Sequence, residues 1–156
     1  QSFAVTVTVH TGFSSIRDED VDKDILDIDL ELVGEHGTCS PFKLVQTVGS
    51  KPPTFQTDTE ERFEFTSHFN FGLPKRLHLL VRASERTEWF LQSITVQRRD
   101  CGAHFHVGRW LVIEPKQKTK VQLQPSLGVA YTVTLEIHGS LNPLSDCFIS
   151  VELGGE

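Results

Sequence analysis

Val5, Val7 and Val9 alternate with Thr6, Thr8 and His10. Successive side chains of an extended chain point to opposite sides, so this spacing builds one apolar and one polar face, the signature of a half-buried strand. The alternation returns at Ile28, Leu30 and Leu32, at Phe63 and Phe65, at Leu77, Leu79 and Val81, at Ile94 and Val96, and at Val121 and Leu123. Gly12, Gly34, Gly37, Pro41, Gly49, Pro52, Pro53, Gly72, Pro74, Gly102, Gly108 and Pro125 punctuate these runs with turn-forming residues. No stretch carries an apolar helical stripe of ordinary length. Short strands, frequent turns and almost no helix predict an all-β sandwich or barrel.

The end of the chain repeats its beginning. Ala4 to Gly12 reappears as Ala130 to Ser140, and Asp27 to Glu35 reappears as Cys147 to Glu156. An internal repeat divides the chain into one domain at residues 3–125, then a linker and the start of a second copy at residues 126–156, as in a slice from a tandem array. Two further strands, with an apolar face of Val133, Leu135 and Ile137 and of Phe148 or Ile149, Val151 and Leu153, are too few to form a sandwich alone. They are expected to pack on the first domain, to pair with a second copy in a homodimer through residues 130–153, or to remain disordered.

Four segments in order are more specific than the alternation. They are Phe63-Glu64-Phe65, Phe71 to Leu79 (FGLPKRLHL), Glu88 to Val96 (EWFLQSITV) and His104 to Leu111 (HFHVGRWL). This series resembles the PLAT (lipoxygenase homology, LH2) domain, with its leucine-glycine turn, its W-F/Y-L-x-x-V-x-V strand and its late R-W-L segment. Thr6 to Gly12 is similar to that family's opening strand, Leu30 to Gly37 to its second strand and turn, and Phe55 falls where the family carries an aromatic residue. The resemblance implies an eight-stranded antiparallel β-sandwich, C2-like, serving as a non-catalytic accessory module. It further implies association with membrane lipids or another protein, within a larger multi-PLAT protein. The alternatives are a calcium-dependent lipid-docking domain and the noncatalytic PLAT region of a lipase or lipoxygenase.

Charge adds a polarity that the net value of -6 conceals. Residues 17–35 hold nine acids against two bases, whereas residues 75–120 hold ten of the fifteen bases against four acids. If the fold separates these stretches, a basic flank results that attracts anionic head groups or an acidic partner. Arg82, Arg86, Arg98 and Arg99 are its candidate contacts, with Phe13, Trp89 and Phe90 as the aromatic ones, because tryptophan and phenylalanine suit an interface that is apolar on one side and wet on the other. In the family the aromatic pair opens a core strand, so burial of at least one of Trp89 and Phe90 is expected.

Calcium binding requires six to eight oxygen ligands, usually on loops. The acidic stretch supplies Asp20, Asp22, Asp24 and Asp27 as candidates, beside Asp18 and Glu19. The family's metal pattern is present only in part. Lys23-Asp24-Ile25 replaces a glycine-threonine-aspartate run, Arg82-Ala83-Ser84 replaces an H-D-N triplet, and Asp27 alone occupies a family acidic position. Cys101, His104 and His106 provide at most three of the four ligands that tetrahedral zinc takes, and alternation around Phe105 accounts for both histidines as a polar strand face.

Other function classes find little support. Cys39, Cys101 and Cys147 are odd in number and far apart, which favours reduced thiols and a cytoplasmic or peripheral-membrane location over a disulfide scaffold. No run approaches the apolar length of a transmembrane helix, and no basic-then-apolar leader opens the sequence. Arg98, Arg99, Lys116, Lys118 and Lys120 lack interleaved aromatics and any base-reading motif, so no nucleic acid is expected. Neither a G-x-S-x-G elbow nor a glycine-rich phosphate loop is present, so no catalytic residues are assigned.

Overall fold

The computed structural model describes residues 2–20, 25–99 and 101–126, with Asp20 described in its backbone only. The expectations for residues 130–153, the homodimer included, lie outside the described residues. The strands are β1 (Phe3–Ser14), β2 (Leu26–Gly34), β3 (Gly37–Thr38), β4 (Phe42–Lys43), β5 (Thr59–Ser67), β6 (Pro74–Ala83), β7 (Thr87–Arg98), β8 (Gly102–Ile113) and β9 (Thr119–Leu123). One sheet has the order β5-β1-β7-β8 and the other β3-β2-β6-β9, with β4 also pairing β2. Every pairing is antiparallel.

Strands β3 and β4 pair along the same edge of β2, at its C-terminal end (Val33–Gly34) and at its middle (Asp29–Leu30). Pro41 lies between them and cannot donate to the ladder. Counted as one interrupted strand, they complete the eight-stranded antiparallel sandwich.

The alternating residues close the core as their spacing predicts. Val5, Val7 and Val9 of β1, Ile28, Leu30 and Leu32 of β2, Leu77, Leu79 and Val81 of β6, and Phe105 of β8 are all at most 1% exposed. Phe63 is likewise buried, while Phe65 is only partly covered and stacks on Phe42 at 4.3 Å.

Strand β7 contains a phase change that strict alternation cannot accommodate. Trp89 and Leu91 point inward, and so do Ile94 and Val96, although the two pairs differ by an odd step. A bulge at Gln92 absorbs it: His10 faces Ser93 while Thr11 faces Leu91, and the ladder to β8 shifts at the same place. An extra residue on one strand lets both halves keep their apolar side chains in the core.

One end of the sandwich is packed shut. Arg98 is 7% exposed and donates from Nη1 to Asn70 Oδ1 at 2.7 Å and to Gly72 O at 3.4 Å. Its guanidinium carbon lies 5.3 Å from the Phe3 ring centre and 5.2 Å from that of Phe71. Beside it, Gly34 passes so close to Phe71 that a Cβ there would stand 2.0 Å from the Phe71 carbonyl oxygen. The opposite end carries the 84–86 turn and the 114–118 turn.

Candidate functional site

Alternation decides the fate of the two adjacent aromatic residues that open β7. Trp89 is fully buried, its Nε1 donates to Thr11 Oγ1 at 2.9 Å, and its ring meets Phe55 edge-on at 5.5 Å. Trp89 is therefore a core residue and is withdrawn from the contact candidates. Phe90, one step along, turns to the outer face.

There Phe90 joins a row that crosses three strands. The β-ladder places Phe13 of β1 opposite Phe90, and Phe90 opposite Trp110 of β8. Ring centres are 5.9 Å apart for Phe13–Phe90, 5.5 Å for Phe90–Trp110 and 6.1 Å for Phe13–Trp110. Both contacts of Phe90 are edge-on, and the third pair is stacked, so the ring edges and faces satisfy one another. Phe90 lies over Gly12, where a Cβ would stand 2.9 Å from its Cδ1. The row is nevertheless open to water: Phe13 is 54% exposed and Trp110 51%, with Val112 beside them at 45%. Exposed apolar groups gathered on one sheet face are candidates for a contact surface. Sequence reading named Phe13 and Phe90 but missed Trp110. Its signal was available, because Leu111 and Ile113 face inward and alternation sends Trp110 out.

Two turns close this end and are tied together by Arg86. Its Nε donates to Glu114 Oε1 and its Nη1 to Glu88 Oε1, both at 3.1 Å. These contacts raise the Arg86 pKa above its ordinary value, the hydrogen bond to Glu114 most of all. Arg86 thus spends its charge within the domain.

The remaining candidate arginines separate. Arg98 is enclosed at the opposite end, so it is corrected from a surface contact to a structural residue, held by Asn70, Gly72 and two aromatic faces. Arg99 is exposed there, beside a shallow cleft that Phe3, Ala4, Thr6 and Gln97 also line. Arg82 lies at the end of β6 on the outer face of the second sheet. It borders a cleft of about 470 Å³ together with Ser84, Lys116 and Lys118.

The acidic and basic stretches are not kept apart as a whole. Strand β2 pairs with β6, so Asp27 faces Arg82 and Glu31 faces His78. Lys43 Nζ lies 3.2 Å from Asp27 Oδ1 and 4.0 Å from Asp29 Oδ1, and His78 Nδ1 lies 3.1 Å from Glu31 Oε1. The acids of β2 are therefore interleaved with basic side chains on one sheet face.

That interleaving bears on calcium. Asp27 is the one proposed ligand whose side chain is described, and its carboxylate is already engaged by Lys43 opposite a guanidinium-bearing strand. It does not offer a cation a free carboxylate. Asp22, Asp24 and the side chain of Asp20 lie outside the described residues. Among the described residues no group of three or more His, Cys, Asp or Glu side chains is arranged for a metal. His104 Nδ1 lies 2.9 Å from Thr95 Oγ1, and the His106 backbone N–H donates to Ser126 Oγ at 2.9 Å.

Two packed antiparallel sheets define a C2-like β-sandwich module. Residues 5–124 match the PLAT/LH2 domain, and the chain belongs to that family, a noncatalytic domain class. No curated protein matches the chain. Among solved structures, a lipoxygenase variant (Delta413-417:GS LOX) is similar at 18% identity and a TM-score of 0.58, over 80% of this chain and 16% of that one. The same variant in complex with arachidonate gives 18% and 0.58, over 81% and 17%. Coral 8R-lipoxygenase, described as calcium-activated via a C2-like domain, gives 18% and 0.55, over 78% and 17%. The chain thus spans about one sixth of these enzymes' length.

Proposed function

We propose that this domain is a noncatalytic association module that attaches a larger, multi-PLAT protein to a lipid surface. The observation that carries the reading is the open row of Phe13, Phe90 and Trp110. A rigid sheet presents three rings that need no reordering to make contact, so little conformational entropy opposes binding. One such contact is weak, and repetition of the domain along a chain raises its effective concentration at the surface. A protein partner is the second reading, favoured by β8, which is the edge strand of its sheet and bears Trp110 and Val112.

Sedimentation with phospholipid vesicles tests the proposal. Removing Trp110 with Phe13, as Trp110→Ser and Phe13→Ser, is expected to weaken pelleting at least about tenfold, since burial of one large apolar side chain contributes about 1.5–3 kcal/mol. Pelleting that both substitutions leave unchanged would refute the role of the row. A chelator arm addresses the calcium-dependent alternative, which requires pelleting to disappear when calcium is withdrawn. Sequence adjoining the domain distinguishes a tandem array from the PLAT region of a lipase or lipoxygenase.

A further inference from the structure

We infer that the closed end of the sandwich, at Phe69 and Leu73 and beside the point where Ser126 is anchored to β8, is the docking surface for the next copy of this domain. This inference rests on the multi-PLAT reading above and adds to it how successive copies sit.

The first ground is where the chain arrives and leaves. Strand β1 starts at Phe3, opposite Ser67, and the aromatic row lies near its other end, at Phe13. Strand β9 ends at Leu123, opposite Leu77, and so runs back toward the end of the sandwich that carries Gly72 and Leu73. Both covalent connections therefore stand at the closed end. Phe3 and Phe13 are ten residues apart on one strand, which separates the connections from the row by about 30 Å.

Ser126 fixes the departing chain. Its N–H donates to His104 O at 2.8 Å, and its Oγ accepts from the His106 N–H at 2.9 Å. His104 and His106 stand in the half of β8 nearer the closed end, and β8 is an edge of its sheet. The other edge, β5, is covered in the same manner by the connection before it. There the Val48 N–H donates to Arg62 O at 2.8 Å, and the Thr54 and Phe55 N–H groups donate to the Glu61 carboxylate at 2.8 and 2.7 Å. Three residues, Leu127, Gly128 and Val129, separate Ser126 from Ala130, where the repeat of Ala4 begins. Four backbone steps span at most about 14 Å. That is about the radius of gyration of a domain of this size, so a copy folding from Ala130 onward stays beside the end that the chain leaves.

What such a copy meets there is apolar. Phe69 is 44% exposed and Leu73 39%, both on the connection between β5 and β6. Their backbone is already fixed. Ser67 Oγ donates to Phe69 O at 2.6 Å and accepts the Phe69 N–H at 3.2 Å, while Leu73 O accepts the Glu35 N–H at 3.1 Å. The Phe69 ring lies on Gly37, where a Cβ would stand 3.0 Å from its Cζ. Contact with these groups therefore costs little ordering. The short linker also holds the next copy at a high effective concentration, ahead of any diffusing partner. Because Ala130 repeats Ala4, that copy begins at its own closed end, and the two closed ends face each other across the linker. Docking through them covers Phe69 and Leu73 and leaves the row of Phe13, Phe90 and Trp110 pointing outward.

The test uses the parent protein's chain from Gln1 through the end of the copy that begins at Ala130, digested with chymotrypsin, for which Leu127 offers a site in the linker. Docked copies shield that site. Phe69→Ser with Leu73→Ser is expected to speed cleavage at Leu127 at least about tenfold. Ser126→Ala is expected to speed it about fivefold, the net contribution of one hydrogen bond, and Ser126→Thr to restore the slow rate. Trp110→Ser, at the far end, is expected to leave the rate unchanged. Circular dichroism verifies folding of each variant, and X-ray scattering reads the increase in maximum dimension that accompanies release. Cleavage as fast in the wild type as in the Phe69 and Leu73 variant, or a rate that only substitution of Ser126 alters, overturns the closed-end contact. Vesicle binding through Trp110 is then untouched. A parent sequence with no complete copy from Ala130 onward overturns this inference together with the multi-PLAT reading, whereas two copies that tumble independently overturn this inference alone.

Discussion

The two ends of the sandwich handle positive charge in opposite ways. At one end Arg98 is sealed between Phe3 and Phe71 and hydrogen-bonded to Asn70 and Gly72. At the other, Arg82, Lys116 and Lys118 surround an open cleft with no carboxylate paired to them among the described residues. The aromatic groups divide likewise: rings at the closed end cover a cation, whereas Phe13 and Trp110 face water. A buried cation with fitted partners serves stability, whereas the exposed rings are the part that the proposed function assigns to contact. The difference makes substitutions at the two ends separable by experiment.

The largest effect on stability is expected from Arg98→Ala, about 3 kcal/mol, because it strands the acceptors on Asn70 and Gly72 and empties the space between two rings. Chemical denaturation measures it, and a loss well under 1 kcal/mol would erase the contrast between the ends. Gly34→Ala should follow at about 2 kcal/mol, since its Cβ meets the Phe71 carbonyl and backbone must yield. At the open end, Trp110→Ser is expected to change stability by less than about 1 kcal/mol while weakening vesicle binding. Smallest is Lys116→Asn with Lys118→Gln, expected within about 0.5 kcal/mol and on the stabilising side, because it relieves repulsion with Arg82. A marked destabilisation by that pair would show that the cations hold the turns together.

Most of the fold was legible in the sequence because a half-buried strand imposes its period directly on the residues. The inward places of Val5, Val7 and Val9, and of Leu77, Leu79 and Val81, follow from spacing alone. The same rule separates Trp89 from Phe90 and turns Trp110 outward. It failed to resolve β7 fully, since the bulge at Gln92 shifts the phase midway and strict alternation holds only on either side. Burial of Arg98 was not legible, because its partners Asn70, Gly72, Phe3 and Phe71 come from remote strand ends. Interleaving of the acids of β2 with the basic residues of β6 depends on which strands become neighbours, a property of topology that charge counts along the chain do not contain.

The two tryptophans allow the central claim to be measured directly, since one is buried and the other lies in the exposed row. Fluorescence is recorded with vesicles carrying bromine-labelled acyl chains, in the wild-type chain and in Trp110→Phe, which retains only Trp89. The account predicts quenching of the wild type on membrane binding and none in the variant. Membrane binding with equal quenching in both, or with none in either, would contradict a contact made by this face of the sandwich.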